Sequence, residues 1–354
     1  MDELYYDAVD LLKSMISIKS VSREEAGVAD TLARAMRGFG LEVSRHGNNL
    51  WTVDPYFNAG RPTLLLNSHI DTVKPCAGWT RDPLDPVQDE TGRLYGLGSN
   101  DAGASVVSLL AAFRWLIPRR RNCNLIFLAS CEEEVSGHGG IEAVLPLLPK
   151  VDFAIVGEPT AMRPAIAEKG LMVLDGLVTG VSGHAARDEG VNAIYRAIDA
   201  VQALRNVKFE RTSPLLGPVK VSVTQINAGT QHNVVPDVCK IVVDVRTTDA
   251  YTNLETLHTL RQAVDGLCQL TPRSTRLNPS GVSPDHPIVR RLAALGLEPF
   301  GSPTLSDQAL MPFPSIKLGP GDSARSHTAD EYVMLDEIRE AIQLYATILG
   351  GCTI

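Results

Sequence analysis

The sequence predicts an α/β fold, a mostly parallel sheet covered by helices, with a ferredoxin-like α+β domain inserted into it. Three observations carry this reading. Apolar runs at Thr63–Asn67, Asn124–Ser130 and Asp152–Val156 alternate with helical stretches and have no polar face, as strands covered on both sides do. From about Ala165 to Ser280 the texture changes to half-polar strands and amphipathic helices, in the order strand–helix–strand–strand–helix–strand. The chain has 354 residues, too many for one ordinary core, so two domains are expected.

The elements follow in order. The stretch MDELYYDAVDLLKSMISI is acidic and helically periodic. It has no basic start leading into an apolar core, so it does not read as a signal peptide. Strand and helix then alternate, with SVVSLLAAFRWL as the helix after Asp101. In the inserted part LMVLDGLVTG reads as a strand. VNAIYRAIDAVQALRN reads as a helix with Ala193, Ala197, Ala200 and Leu204 near one face. VKVSVTQIN and CKIVVDVRTT alternate like antiparallel strands with one face in water, NLETLHTLRQAVDGLC is a second helix, and STRLNPS is expected to be the last strand. A helix at HPIVRRLAALG, a short strand at SIKLGPG, a polar loop with His327 and a final helix, DEIREAIQLYATILGG, return to the first domain. The expected division is 1–164 with 281–354 for the α/β domain and 165–280 for the insertion.

A hydrophobic content of 44% and a charged content of 21% are ordinary for a globular protein. The net charge of −8 argues against nucleic acid or an anionic membrane as the main partner. No apolar stretch is long enough to span a bilayer. Cys76, Cys123, Cys131, Cys239, Cys268 and Cys352 form no CxxC pair, which fits thiols in a reducing compartment, with the cytoplasm as the expected location.

The apolar strands end in metal-binding side chains. RPTLLLNSHID runs into His69 and Asp71, NLIFLASCEEE into Glu132, Glu133 and Glu134, and VDFAIVGEP into Glu158. Asp101 lies between the first two, in GLGSNDAGAS. Open α/β sheets place their sites beyond the carboxyl ends of the strands, and imidazole with carboxylates suits zinc or a similar divalent ion. Each signal has a plainer reading when taken alone. A strand-end histidine is usually a partly buried polar residue, Asp101 reads equally as a helix N-cap, and CEEE as a solvated acidic turn. Cys131 reads as a small core residue. Adjacent carboxylates at a strand end repel one another, and a cation resolves the repulsion. One carboxylate would then bind metal while its predecessor faces a bound water as general base. Asp71 is placed to accept the second N–H of His69. The charges suit two ions. Asp101, Glu134, Glu158 and a shared hydroxide offset two dications, and neutral imidazoles complete the ligand sets.

The ordered run HID, GSNDAGA, EEEVSG, VGEPT, GHAA and SHTADEY resembles the M20 family of dinuclear zinc metallopeptidases. Within it the chain is most similar to the acetylornithine deacetylase and succinyl-diaminopimelate desuccinylase branch. The resemblance implies a dinuclear-metal hydrolase domain holding two Zn2+ per chain, with Co2+ or Mn2+ as substitutes. Asp101 would bridge the ions, His69 and Glu158 would complete one, and Glu134 and His327 the other. Glu133 would be the general base and Asp71 would support His69, leaving Glu132 outside the ligand set. The Asp101–Ala102 peptide would be cis. Two metals would bring the pKa of a shared water towards neutrality for attack on an amide carbonyl.

The insertion, by the same resemblance, is a lid and dimerisation domain. His184, in VSGHAARDEG, would reach the neighbouring subunit's site in a homodimer and hold the oxyanion after closure. Asn233 and Arg246 would hold the substrate carboxylate. Arg325, Ser306 and Asp307 are further candidates for the substrate pocket, Asp307 being suited to a side-chain ammonium. Ser136 stands where many relatives have glycine, and NDAGA replaces the commoner DMKG-type segment. The implied reaction is deacylation of an N-acyl amino acid, N-acetylornithine first, in arginine biosynthesis. N-acetylcitrulline and N-succinylornithine follow, then succinyl-diaminopimelate or a dipeptide. Outside enzymes, the alternative is a retired metal-binding homologue, which would have lost a ligand or the base.

Overall fold

The computed structural model describes residues 1–187 and 189–351, so Cys352 lies outside the described residues. The chain divides into two compact units, one of Met1–Ile166, Gly281–Phe300 and the chain from Ser306 onward, the other of Ala167–Ser280 with Gly301–Leu305.

The first unit begins with helices α1 (Asp2–Ile16) and α2 (Ala26–Gly38) and strands β1 (Ser44–His46), β2 (Asn49–Val53), β3 (Thr63–His69) and β4 (Arg93–Tyr95). Then come α3 (Ala104–Leu116), β5 (Asn124–Ser130), the short α4 (Ile141–Val144), β6 (Phe153–Val156) and β7 (Ala165–Glu168). The second unit holds β8 (Gly170–Thr179), β9 (Gly183–His184), α5 (Ala193–Asn206), β10 (Lys220–Ala228), β11 (Val234–Val235), β12 (Val238–Thr247), α6 (Asn253–Ala263) and β13 (Gln269–Pro272). After it come β14 (Ser280–Gly281), α7 (Pro287–Ala294), β15 (Phe300–Ser302), β16 (Ser315–Lys317), β17 (Tyr332–Met334) and α8 (Leu335–Leu349).

The main sheet runs β1-β2-β5-β3-β6-β16-β7-β14. Its centre, β5-β3-β6-β16, is parallel, and β2 and β7 flank it antiparallel. Every residue of β3, β5 and β6 is buried, and strand periodicity shows how. Leu64, Leu66, Leu125, Phe127, Phe153 and Ile155 point into a core shared with Leu12, Leu32, Phe113 and Ile342 from the helices. Their neighbours Leu65, Ile126, Leu128 and Ala154 enter a second core with Trp51, Ile141 and Val144. Helix α3 is apolar nearly all round because α1 and α8 both pack on it.

The connection from β3 leads to β5 on one side and the next one leads to β6 on the other. The crossover direction therefore switches beside β3, which opens a crevice at the carboxyl ends of these strands. His69, Ser130 and Val156 end them there.

The second unit carries the antiparallel sheet β10-β12-β8-β13. The inward residues of β8 and β12 share a core with Ala193, Ala197, Ala200 and Leu204 of α5 and Leu257 and Leu260 of α6. STRLNPS is not its last strand. Gln269–Pro272 pairs with β8 instead, because the alternation of Leu270 inward and Thr271 outward matches the sheet pleat. Helix α2 and the β1–β2 hairpin were not distinguished in the sequence. Among the described residues no helix is long and apolar enough to cross a membrane.

Candidate metal centre

His69 ends β3 and is buried. Its Nδ1 lies 2.8 Å from the main-chain oxygen of Asp71, which accepts from Nδ1–H and aims Nε2 at the carboxylates. Nε2 faces Asp101 Oδ1 at 3.1 Å, Glu133 Oε2 at 3.9 Å and Glu158 Oε1 at 4.0 Å. The expected contact from Asp71 to the second ring nitrogen is made by its main-chain carbonyl, with carboxylate Oδ1 3.5 Å from Nδ1.

The Asp71 carboxylate has a different task. Oδ1 accepts from the Glu133 amide at 3.0 Å, and Oδ2 accepts from the Glu134 amide at 3.1 Å and from Ser22 Oγ at 2.7 Å. It pins the turn after β5, where Glu133–Val135 form a short 3-10 segment between left-handed residues Glu132 (φ 56°) and Ser136 (φ 44°). A left-handed Ser136 explains why glycine suits this position. The Glu132 side chain turns away to Gly137, Gly139 and Arg23, 3.7 Å from its guanidinium.

Asp101 sits in the loop between β4 and α3, with a cis peptide to Ala102. It does not cap α3, whose N-cap is Gly103. The loop is held by Glu331, a buried carboxylate that accepts from the amides of Gly98, Asn100 and Asp101 at 3.2, 2.9 and 2.9 Å. The sequence did not single out Glu331; nothing but its place four residues after His327 marked it among the other acids. His327 itself, left-handed at φ 60°, approaches Glu134 at 3.1 Å and Asp101 Oδ2 at 3.6 Å.

Glu158 follows β6 and Gly157. A Cβ at position 157 would lie 2.7 Å from Ser105 Cβ and 2.8 Å from Leu109 Cδ1, so glycine lets this strand end press against α3. Glu158 Oε1 is buried and has no hydrogen-bond donor.

The site is electrostatically tense. Burial raises Glu133 well above the carboxylate range, and Glu158, Asp307 and Glu134 add to it against the pull of His69. Burial, with help from Asp101 and Glu134, pushes Glu158 up to about 8. For His69 burial opposes the proton, but Glu133, Asp101, Asp71 and Glu158 outweigh it and raise the imidazole well above its usual value. The bond to Glu134 takes His327 to about 9. Cys131 nearby is driven by burial to about 12 and stays an unreactive thiol.

A cation resolves these features together. Donor atoms of His69, Asp101 and Glu134 lie within 4.8 Å of one another, as do those of His69, Glu133 and Glu158. His69 belongs to both groups, Asp101 lies 3.1 Å from its Nε2, and His327 adjoins the first group, which suits two neighbouring divalent ions. The donorless oxygen of Glu158 is a lone pair with no other use.

The remaining candidates have these partners within their own units. Ser306 caps the short helical turn at Asp307–Leu310. Asp307, raised by burial to about 6, accepts from Ser130 Oγ at 2.6 Å and from the Asn67 amide at 3.2 Å. Arg325 forms a two-bond ion pair with Glu337 at 2.8 and 3.0 Å and lies over the Tyr332 ring. In the second unit His184 is exposed on β9, beside β11, and Asn233 accepts from the Ala185 amide at 3.0 Å. Arg246, on β12, pairs with Asp244 at 3.0 and 3.2 Å.

Peptidase family M20/M25/M40 matches residues 65–350. A Mycobacterium tuberculosis protein described as a putative succinyl-diaminopimelate desuccinylase is 29% identical over 366 residues, covering 99% of this chain and 100% of its own. An acetylornithine deacetylase of Pectobacterium carotovorum is 26% identical over 370 residues, covering 96% of each. The fold is similar to the Bacillus cereus aminopeptidase PepT (TM-score 0.79, 18% identity, 98% of each chain). It is also similar to a Bacillus subtilis protein described as a dinuclear metal binding peptidase (TM-score 0.73, 17% identity, 100% of each chain).

Proposed function

The chain belongs to peptidase family M20/M25/M40, and we propose that it deacylates an N-acyl amino acid, N-acetylornithine above all, with two Zn2+ per chain. One observation carries the reading: the strand-end ligands converge around a buried carboxylate oxygen that has no donor. We assign Asp101 as the bridging ligand, His69 and Glu158 to one ion, and Glu134 and His327 to the other. Co2+ or Mn2+ would fit the same donors.

Divalent ions held there would acidify a water and polarise the scissile carbonyl. The chain supplies the proton traffic. Glu133 is raised by burial and by its acidic neighbours, which suits a group that must take a proton from the attacking water and return it to the leaving amine. Asp71 keeps Glu133 and Glu134 in place through their amides, and Glu331 does the same for Asp101. In the proposed homodimer, His184 from the lid of one subunit holds the oxyanion in the other. Arg246, with Asn233, takes the substrate carboxylate, exchanging Asp244 for it. Arg325 and Asp307 rank behind these, since Glu337 holds the one and Ser130 with Asn67 the other. We place the enzyme in the cytoplasm, in arginine biosynthesis.

Succinyl-diaminopimelate is the second reading, favoured by the full-length mycobacterial relative. Amine release from acetylornithine, succinylornithine, acetylcitrulline and succinyl-diaminopimelate by metal-loaded protein distinguishes them. Acetylornithine should turn over fastest. Silence on the whole panel with both ions bound would favour a retired, non-catalytic homologue.

A further inference from the structure

Between α1 and α2 the chain crosses against the site as a short strap. Thr72 N donates to Ser20 O at 2.9 Å and Ser22 N to Thr72 O at 3.2 Å, tying the strap to the segment after His69. From it, Ser22 Oγ reaches Asp71 Oδ2 at 2.7 Å. Three residues on stands Glu25, fully buried at 0% exposure. Its Oε1 accepts from the amides of Arg23 at 2.5 Å and Glu132 at 3.2 Å, and its Oε2 from Asn48 Nδ2 at 2.9 Å.

The consequence lies in the acidic turn. The successive amides of Glu132, Glu133 and Glu134 each donate to a carboxylate from outside the turn: Glu25 for the first, Asp71 for the other two. Glu132 is left-handed without being glycine, a conformation that holds only where neighbouring contacts enforce it. A buried carboxylate is retained where its hydrogen bonds are complete, and hydrogen bonds to a charged acceptor are the stronger kind. Rotation about the backbone of Glu132 swings the whole side chain of Glu133.

We propose that Glu25 and Ser22 are positioning residues: through the Glu132 amide and the Asp71 carboxylate they set the direction of Glu133. This rests on Glu133 as general base, so the test has one readout that needs no turnover. Glu25→Ala, Glu25→Gln, Ser22→Ala and Glu133→Gln are compared as metal-loaded full chains for kcat, KM, bound metal and amide hydrogen exchange across 131–137.

Glu25→Ala should lower kcat by about tenfold or more, since small misplacements of a reacting group are that costly. Its KM should stay within about twofold, as befits a change confined to the chemical step. Metal content should not change, and exchange should quicken at Glu132–Glu134. Glu25→Gln keeps an oxygen for the two amides and should recover most of the rate. Ser22→Ala deletes one hydroxyl from a partly exposed site; it should also lower kcat, and it serves if Glu25→Ala does not fold. Unchanged exchange in Glu25→Ala overturns the strap, and so does kcat lost only together with metal. Faster exchange at wild-type kcat overturns its bearing on catalysis. A fully active Glu133→Gln would sink the base assignment instead, leaving exchange to judge the strap.

Discussion

Glu133 and Glu134 are neighbours with different surroundings, and the difference supports the separate roles proposed for them. Glu134 faces His327 at 3.1 Å, while Glu133 lies 3.9 Å from His69, its pKa raised by burial first and by the neighbouring carboxylates after it. Glu133→Gln keeps the shape and removes the proton acceptor. It should bind metal normally and lose about two to four orders of magnitude in kcat, the usual contribution of a general base. Metal analysis beside a rate assay checks both halves. A second prediction concerns pH. Glu158, lifted to about 8, and His327, lifted to about 9, must both shed protons to become ligands. Metal affinity should therefore climb as pH rises through about 8 to 9 and weaken on acidification, by about tenfold per pH unit for each proton displaced. Calorimetric titration across this range measures it; a Kd independent of pH would refute the ligand assignment. At this scale the acids closing apolar strands were legible in the sequence, because an apolar run followed by an acid is a local pattern. Glu25 and Glu331 were not, since each acts on amides far along the chain: 107 residues for Glu25 to Glu132, 230 for Glu331 to Asp101.

At the scale of elements, β6 delivers Glu158 only because its end can touch α3. Gly157→Ala would force a methyl group into Ser105 and Leu109. We expect a loss of about 1–3 kcal/mol, the usual cost of overpacking a filled core, together with weaker metal binding because Glu158 shifts with it. Thermal unfolding with and without metal tests this, and an unperturbed variant would show that the contact yields. Strand and helix periods were read well where one face or both were apolar over many residues, as in α3, α5 and β5. They failed for STRLNPS, because a short strand is chosen by its pairing partner rather than by its own composition.

The whole molecule contains two compact units, and the proposed chemistry draws on both. If His184 serves the neighbouring subunit, Glu133→Gln and His184→Ala should each be nearly inactive alone. Unfolded and refolded together, they should recover about a quarter of wild-type activity, because half the dimers are mixed and each mixed dimer holds one intact site. No recovery in mixtures shown to contain the mixed dimer would place His184 in its own subunit's site or outside the reaction.

The sequence by itself determined the alternation of strands and helices, the type of side chain at each strand end and, by resemblance, the family to which the chain belongs. These are properties of short windows, written in periodicity and residue type. Only the tertiary structure decided that the Asp71 carbonyl, rather than its carboxylate, orients His69. It also decided that Glu25 and Glu331 brace the loops carrying the acids. Those contacts join segments distant along the chain and depend on backbone direction at turns, which is settled by packing and leaves little mark on residue type.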